Sequence, residues 1–144
     1  MTQVDFYTHV EDKLATACKL CAKALAAKVR VLVCTPDAQT SERFSRMLWS
    51  VPQTSFIPHC SASDRLAAVT PVIIDHGACA PPHQEVLLNL RDELPPAYER
   101  FQRVIEIVST DEDDAQAARE RFRHYRAQGF PIQAHELGGA RADT

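Results

Sequence analysis

The chain has 144 residues, 45% hydrophobic and 24% charged, which fits one globular domain with a real core rather than a disordered chain. Its net charge of −3 argues against broad nonspecific nucleic-acid binding, which needs a positive field over much of the surface. No run approaches the roughly 20 apolar residues that cross a bilayer, and Met1-Thr-Gln-Val-Asp-Phe-Tyr7 carries no charged-then-apolar leader, so a cytosolic protein is expected.

In chain order, Val4–Thr8 alternates as a short strand, and 11–28 reads as a helix with Lys19 and Lys23 facing away from a Leu14, Cys18, Cys21, Leu25 stripe. That stripe makes Cys18-x-x-Cys21 a pair of small core hydrophobes. It also lies mid-helix, away from the terminal amides that lower a redox thiol's pKa. With five cysteines in all and no export signal, reduced thiols are the default. Val29–Cys34 has the continuous β-branched character of a buried parallel strand. Thr35-Pro36 is expected to open the next helix, with Thr as cap, running to about Leu48–Trp49. Its buried stripe is Phe44, Met47 and Leu48.

The stretch 50–59 is proline-bounded and reads as irregular or an edge strand. A loop is expected over 60–70, a strand at Val72–Asp75, a Gly/Pro loop to His83 and a buried strand at Val86–Leu90. A short helix follows over 95–103, then a strand at Val104–Val108. Asp111-Glu-Asp-Asp114 opens a last helix that Gly129 closes, and 132–137 forms a final edge segment. No repeat or linker divides the chain. The expected fold is α/β, a single three-layer Rossmann-like domain over 1–137 with a mostly parallel central sheet and flanking helices; 138–144 is expected to be a disordered tail.

Such folds often bind nucleotides through a glycine-rich first turn, but here the first glycine is Gly77 and the turn after the first strand is Thr8-His-Val-Glu-Asp12, bulky and acidic. No Walker-type phosphate loop and no serine nucleophile elbow occurs. The six histidines are scattered; His59 with Cys60, or Cys79 with His76 and His83, match no structural zinc spacing. Asp111–Asp114 suits a helix N-terminus through its dipole rather than a cation site. No catalytic residue, metal or cofactor is expected.

Two places look built to meet a partner. In the last helix, at about 100° per residue, Ala115, Ala118, Phe122 and Tyr125 share one apolar stripe, with Arg119, Arg123 and Arg126 along its flank within about 60° of each other. A ring edged by guanidinium forks can take a ligand carrying both a carboxylate and an apolar side chain, although arginines there also simply complement the helix C-terminus. Trp49 lies about 140° from Phe44, off the buried stripe, and is followed by Phe56 between prolines. Either the chain folds back to cover it or this is a docking surface.

Leu48-Trp49 with Pro52, Ser55-Phe-Ile-Pro-His59, Pro71-Val72 and Ala118-Arg-Glu-Arg-Phe122 with Tyr125-Arg-Ala127 and Gly129-Phe130 resemble the chi-subunit family of bacterial DNA polymerase III over nearly the whole chain. The resemblance implies a non-catalytic α/β adaptor of the clamp loader. It implies two partners: the psi subunit, received by a face that includes Trp49 and Phe56, and the acidic, Phe-ended C-terminal tail of single-stranded DNA-binding protein, contacted by Arg119 and Phe122. Arg123 and Arg126 are helpers by helix geometry. Two positions depart from the family pattern: Phe122 stands where Tyr is frequent, which removes a hydroxyl contact, and Ala115 stands where a basic residue is frequent. A small nucleotide-dependent enzyme on the same scaffold is the alternative reading.

Overall fold

The computed structural model describes residues 2–50, 59–61, 70–76, 83–95 and 97–136, apart from the side chains of 49, 50 and 61. The elements in chain order are β1 (Gln3–Val10), α1 (Lys13–Ala26), β2 (Val31–Cys34), α2 (Ala38–Ser50), β3 (His59–Ser61), β4 (Val72–Asp75), β5 (Val86–Asn89), a 3-10 turn (Tyr98–Arg100), β6 (Arg103–Ser109), α3 (Glu112–Ala127) and β7 (Ile132–Glu136). The strands form one sheet in the order β3-β4-β2-β5-β6-β1-β7. Every ladder among the described residues is parallel, in keeping with the expected mostly parallel sheet.

The connections explain the layers. From β1 the chain crosses through α1 to β2 on one side; from β6 it crosses through α3 in the opposite direction, past β1 to β7. Right-handed crossovers running opposite ways must lie on opposite faces. Accordingly α1 and α2 bury Ala17, Cys18, Cys21, Phe44 and Leu48 against Val31, Val33, Ile105 and Ile107. On the other face α3 buries Ala118 and Tyr125 against Val4, Phe6, Val104 and Val108. Burial pushes the Cys18 thiol up to about 11 and the Cys21 thiol higher still, so the pair behaves as the core hydrophobes its spacing predicts.

Several boundaries differ from the sequence reading, each for a local reason. The first helix stops at Ala26 because Lys28 takes a left-handed backbone (φ 61°), and the Val29 amide turns back to the Ala24 carbonyl at 2.8 Å. This leaves Val31 as the first residue of β2. The second helix begins at Ala38, not at Thr35-Pro36: the Asp37 carboxylate accepts from the Thr40 amide at 2.7 Å, while the Thr35 hydroxyl is drawn inward to Ser41. The expected loop at Cys60 is the edge strand β3, in register with β4 from His59 to Ser61. The expected helix over 95–103 contracts to a 3-10 turn, since Arg103 joins the sheet opposite Gln3 and its guanidinium pairs with the buried Asp5 carboxylate. The readings for 51–58, 62–69, 77–82 and the tail from 137 onward lie outside the described residues.

The last helix follows its sequence signals closely. Asp111 caps it by accepting from the Asp114 amide at 3.1 Å. At the other end Gly129 (φ 80°) lets its own amide reach Arg126 O at 3.0 Å and the Phe130 amide reach Tyr125 O at 3.2 Å. The Phe130 and Tyr125 rings, 6.3 Å apart, complete this stop with the apolar contact that usually accompanies it.

Candidate functional site

The connections that follow β1 and β6 run to opposite faces of the sheet, and folds of this kind carry a crevice at such a switch point. Here a cleft of about 400 Å³ occupies it. The end of β1 supplies Phe6, Thr8 and His9; the end of β6 supplies Val108, Ser109 and Thr110; β7 contributes Ala134. One wall is α3, through Glu112, Ala115, Ala118, Arg119 and Phe122, residues spaced three, four and seven apart and therefore on one helix face.

Each of these side chains is placed by a local device. The β1/β6 register shifts between Tyr7 and Val10, and His9 sits in the left-handed region (φ 58°), an uncommon conformation for a residue with a Cβ. That irregularity sits at the strand end where His9 lines the cleft; its Nδ1 lies 3.3 Å from the Glu136 carboxylate of β7. Phe122 is half-buried and packs on Phe6, ring centroids 5.4 Å apart, so its exposed part is held rigidly at the cleft wall. Arg119 is exposed, and its Nη2 is 3.2 Å from the Glu112 carboxylate. Among the described residues it is the one permanently charged cation that lines the cleft, in a wall otherwise made largely of apolar side chains.

Two interactions fix α3 beside the cleft. Below it, Arg121 is 3% exposed and its Nε donates to Glu106 at 2.8 Å, in the middle of β6; Glu106 itself is fully buried. Tyr125 Oη donates to the same carboxylate at 2.6 Å and Asn89 Nδ2 at 3.1 Å. Burial raises the pKa of Glu106 against the opposing pull of Arg121, Tyr125 and Asn89. Burial and the neighbouring Glu106 charge push the Tyr125 hydroxyl far up, so it stays a donor. At the helix start, Asp114 accepts from the Ser109 amide at 2.7 Å and from Lys13 Nζ at 3.0 Å, joining the N-termini of α3 and α1. Burial alone would raise the Asp114 pKa; the amide and the ammonium outweigh it and lower it.

Of the residues singled out from sequence, the fold brings Arg119 and Phe122 together in the cleft, with Ala115 beside them. Arg123 and Arg126 are exposed on the same helix and do not line it; Arg123 is paired with Glu120. Trp49 lies in the last turn of α2, its side chain outside the described residues, as is all of Phe56. Sequence reasoning missed Phe6, Thr8, His9, Glu112 and Ala134 as cleft residues, because they come from three separate elements. It also missed Arg121, for which the signal was an ionisable Glu106 inside the apolar run Val104–Val108. Among the described residues no group of three or more His, Cys, Asp or Glu side chains is arranged to hold a metal ion, and no helix is long and apolar enough to cross a membrane.

Comparison with known proteins gives one consistent answer. A family model described as DNA polymerase III chi subunit, HolC, matches residues 1–133. The DNA polymerase III subunit chi of Pseudomonas aeruginosa is 40% identical over 142 residues, covering 95% of this chain and 98% of its own length. That of Haemophilus influenzae is 30% identical over 92% of this chain and 96% of its own length, and that of Escherichia coli 29% identical over 91% and 88%. The chain therefore belongs to the DNA polymerase III chi subunit family.

Proposed function

We propose that this chain is a non-catalytic accessory subunit of the DNA polymerase III holoenzyme that grips the acidic, Phe-ended C-terminal tail of single-stranded DNA-binding protein in the switch-point cleft, and that a separate face including Trp49 and Phe56 receives the psi subunit. Membership of the chi family and the resemblance of Ala118–Phe122 to that family's tail-binding helix supply the identity of the ligand. The observation that carries the reading is the pairing, in one cleft, of an apolar wall containing the Phe122 ring with the Arg119 guanidinium. A peptide ending in an aromatic ring and a free carboxylate needs one apolar slot and a fork-shaped donor beside it. Arg123 and Arg126, further along the exposed face, would meet aspartates upstream of the terminal residue.

The cleft lies where related folds hold nucleotides, yet its chemistry disfavours a phosphate. The Ser109 amide at the end of β6 and the Asp114 amide in the first turn of α3 already serve the chain's own carboxylates, and Glu112 stands at the wall.

The test is titration of a synthetic acidic, Phe-ended peptide by calorimetry or fluorescence anisotropy. Arg119→Ala is expected to weaken binding at least several-fold, and added salt to weaken the wild-type contact. Unchanged affinity in Arg119→Ala would refute the site.

A further inference from the structure

We propose that Glu112 is an internal competitor for the ligand carboxylate: it holds the Arg119 guanidinium across the cleft wall, and an acidic ligand must displace it to bind. The proposal rests on the tail-binding reading above and adds a residue that sets the site's affinity and selectivity. Glu112 and Arg119 are seven residues apart, two turns along one face of α3, and both line the cleft. Their side chains meet at 3.2 Å, with 80% of Glu112 and 58% of Arg119 exposed to solvent. An exposed pair of this kind is weak enough to open readily.

The neighbouring acids of the same turn do not share this role. Asp111 caps the helix, Asp114 is tied to Ser109 and Lys13, and Asp113 is exposed and does not line the cleft. Among the described residues, only Glu112 combines a place in the cleft with an ion pair to the guanidinium that lines it.

The consequence is selectivity. A ligand offering a carboxylate alone exchanges one ion pair for an equivalent one and gains little. A ligand that also places an aromatic side chain against Phe122 and Ala115 keeps the apolar gain in full, so Glu112 filters out simple carboxylates and short acidic segments.

The experiment uses the full chain and the same acidic, Phe-ended peptide, with Glu112→Gln, Asp113→Asn and Arg119→Gln singly, and Glu112→Gln combined with Arg119→Gln. Glu112→Gln is expected to tighten binding by about two- to fivefold, the range an exposed ion pair spans. Asp113→Asn, which removes the same charge one residue away, is expected to change affinity much less. In the Arg119→Gln background the gain from Glu112→Gln should vanish, because the competitor then has nothing to hold. Equal gains from Glu112→Gln and Asp113→Asn, or a gain that survives loss of Arg119, overturns the proposal and leaves only general charge repulsion. If Arg119→Gln itself leaves affinity unchanged, the tail-binding reading fails and takes this one with it, an outcome distinct from the other two.

Discussion

Arg121 looks from its sequence context like one more basic residue on a charged helix, but it is the side chain on which the cleft wall depends. It lies between exposed Glu120 and half-buried Phe122 yet is 3% exposed, with its guanidinium on the fully buried Glu106. Truncating it strands that carboxylate without its cation. Arg121→Ala is expected to cost about 3–5 kcal/mol of stability by chemical denaturation. The double change Glu106→Gln with Arg121→Met should cost less than the sum of the single changes, since the buried charge and its partner leave together. An Arg121→Ala protein as stable as wild type would contradict this account. Helical spacing could not single out Arg121, because it falls at the edge of the stripe formed by Ala118, Phe122 and Tyr125. Its partner is 15 positions away in sequence on β6, and only the packing of α3 across that strand joins them.

At the scale of the element, α3 shows why some sequence signals are dependable. Its cap, its acidic first turn and its glycine stop act through the backbone within a few residues, so Asp111 and Gly129 are legible without any tertiary information. Asp114 is different: it serves the local Ser109 amide, but also Lys13 of α1, 101 positions earlier. Its carboxyl pKa is lowered in the folded chain, so its contribution is present above the unfolded carboxylate pKa near 4 and disappears as pH falls through the lower folded value. Asp114→Asn is expected to cost about 1–3 kcal/mol near neutral pH, with the gap to wild type closing as the solution is acidified below about pH 4. Thermal unfolding of the two proteins across that range checks the sign; a gap that widens on acidification would be inconsistent with it. The second helix shows where local signals mislead. Thr35-Pro36 is a sound opening pair by propensity, but the Thr35 hydroxyl is taken inward by Ser41 and the cap falls to Asp37.

At the scale of the molecule, the sheet separates α2 from the α3 cleft. The second helix, which carries Trp49, packs with α1 on one face, whereas α3 and the cleft belong to the other. Under the proposed function this predicts independent activities. Trp49→Ala or Phe56→Ala should impair co-purification with psi and leave peptide affinity intact, while Arg119→Ala does the reverse. Loss of both activities from either change would mean misfolding and would remove the support for two separate faces.

What the sequence determined by itself was everything carried by periodicity and by residues near one another in the chain. It gave the α/β class, the buried cysteine pair of α1, the limits of α3, and the likeness of Ala118–Phe130 to the chi family. Arg119 and Phe122 were legible because helix geometry fixes their mutual position in any fold. The tertiary structure decided the rest: that all seven strands run parallel, that His59–Ser61 pairs at the edge, and that Arg103 enters the sheet. Above all it decided that the chain leaves β1 and β6 toward opposite faces, opening the cleft in which Phe6, His9, Glu112 and Ala134 join Arg119 and Phe122. These residues span nearly the whole length of the chain, and strand order, which brings them together, is set by the crossovers and their handedness rather than by any local pattern.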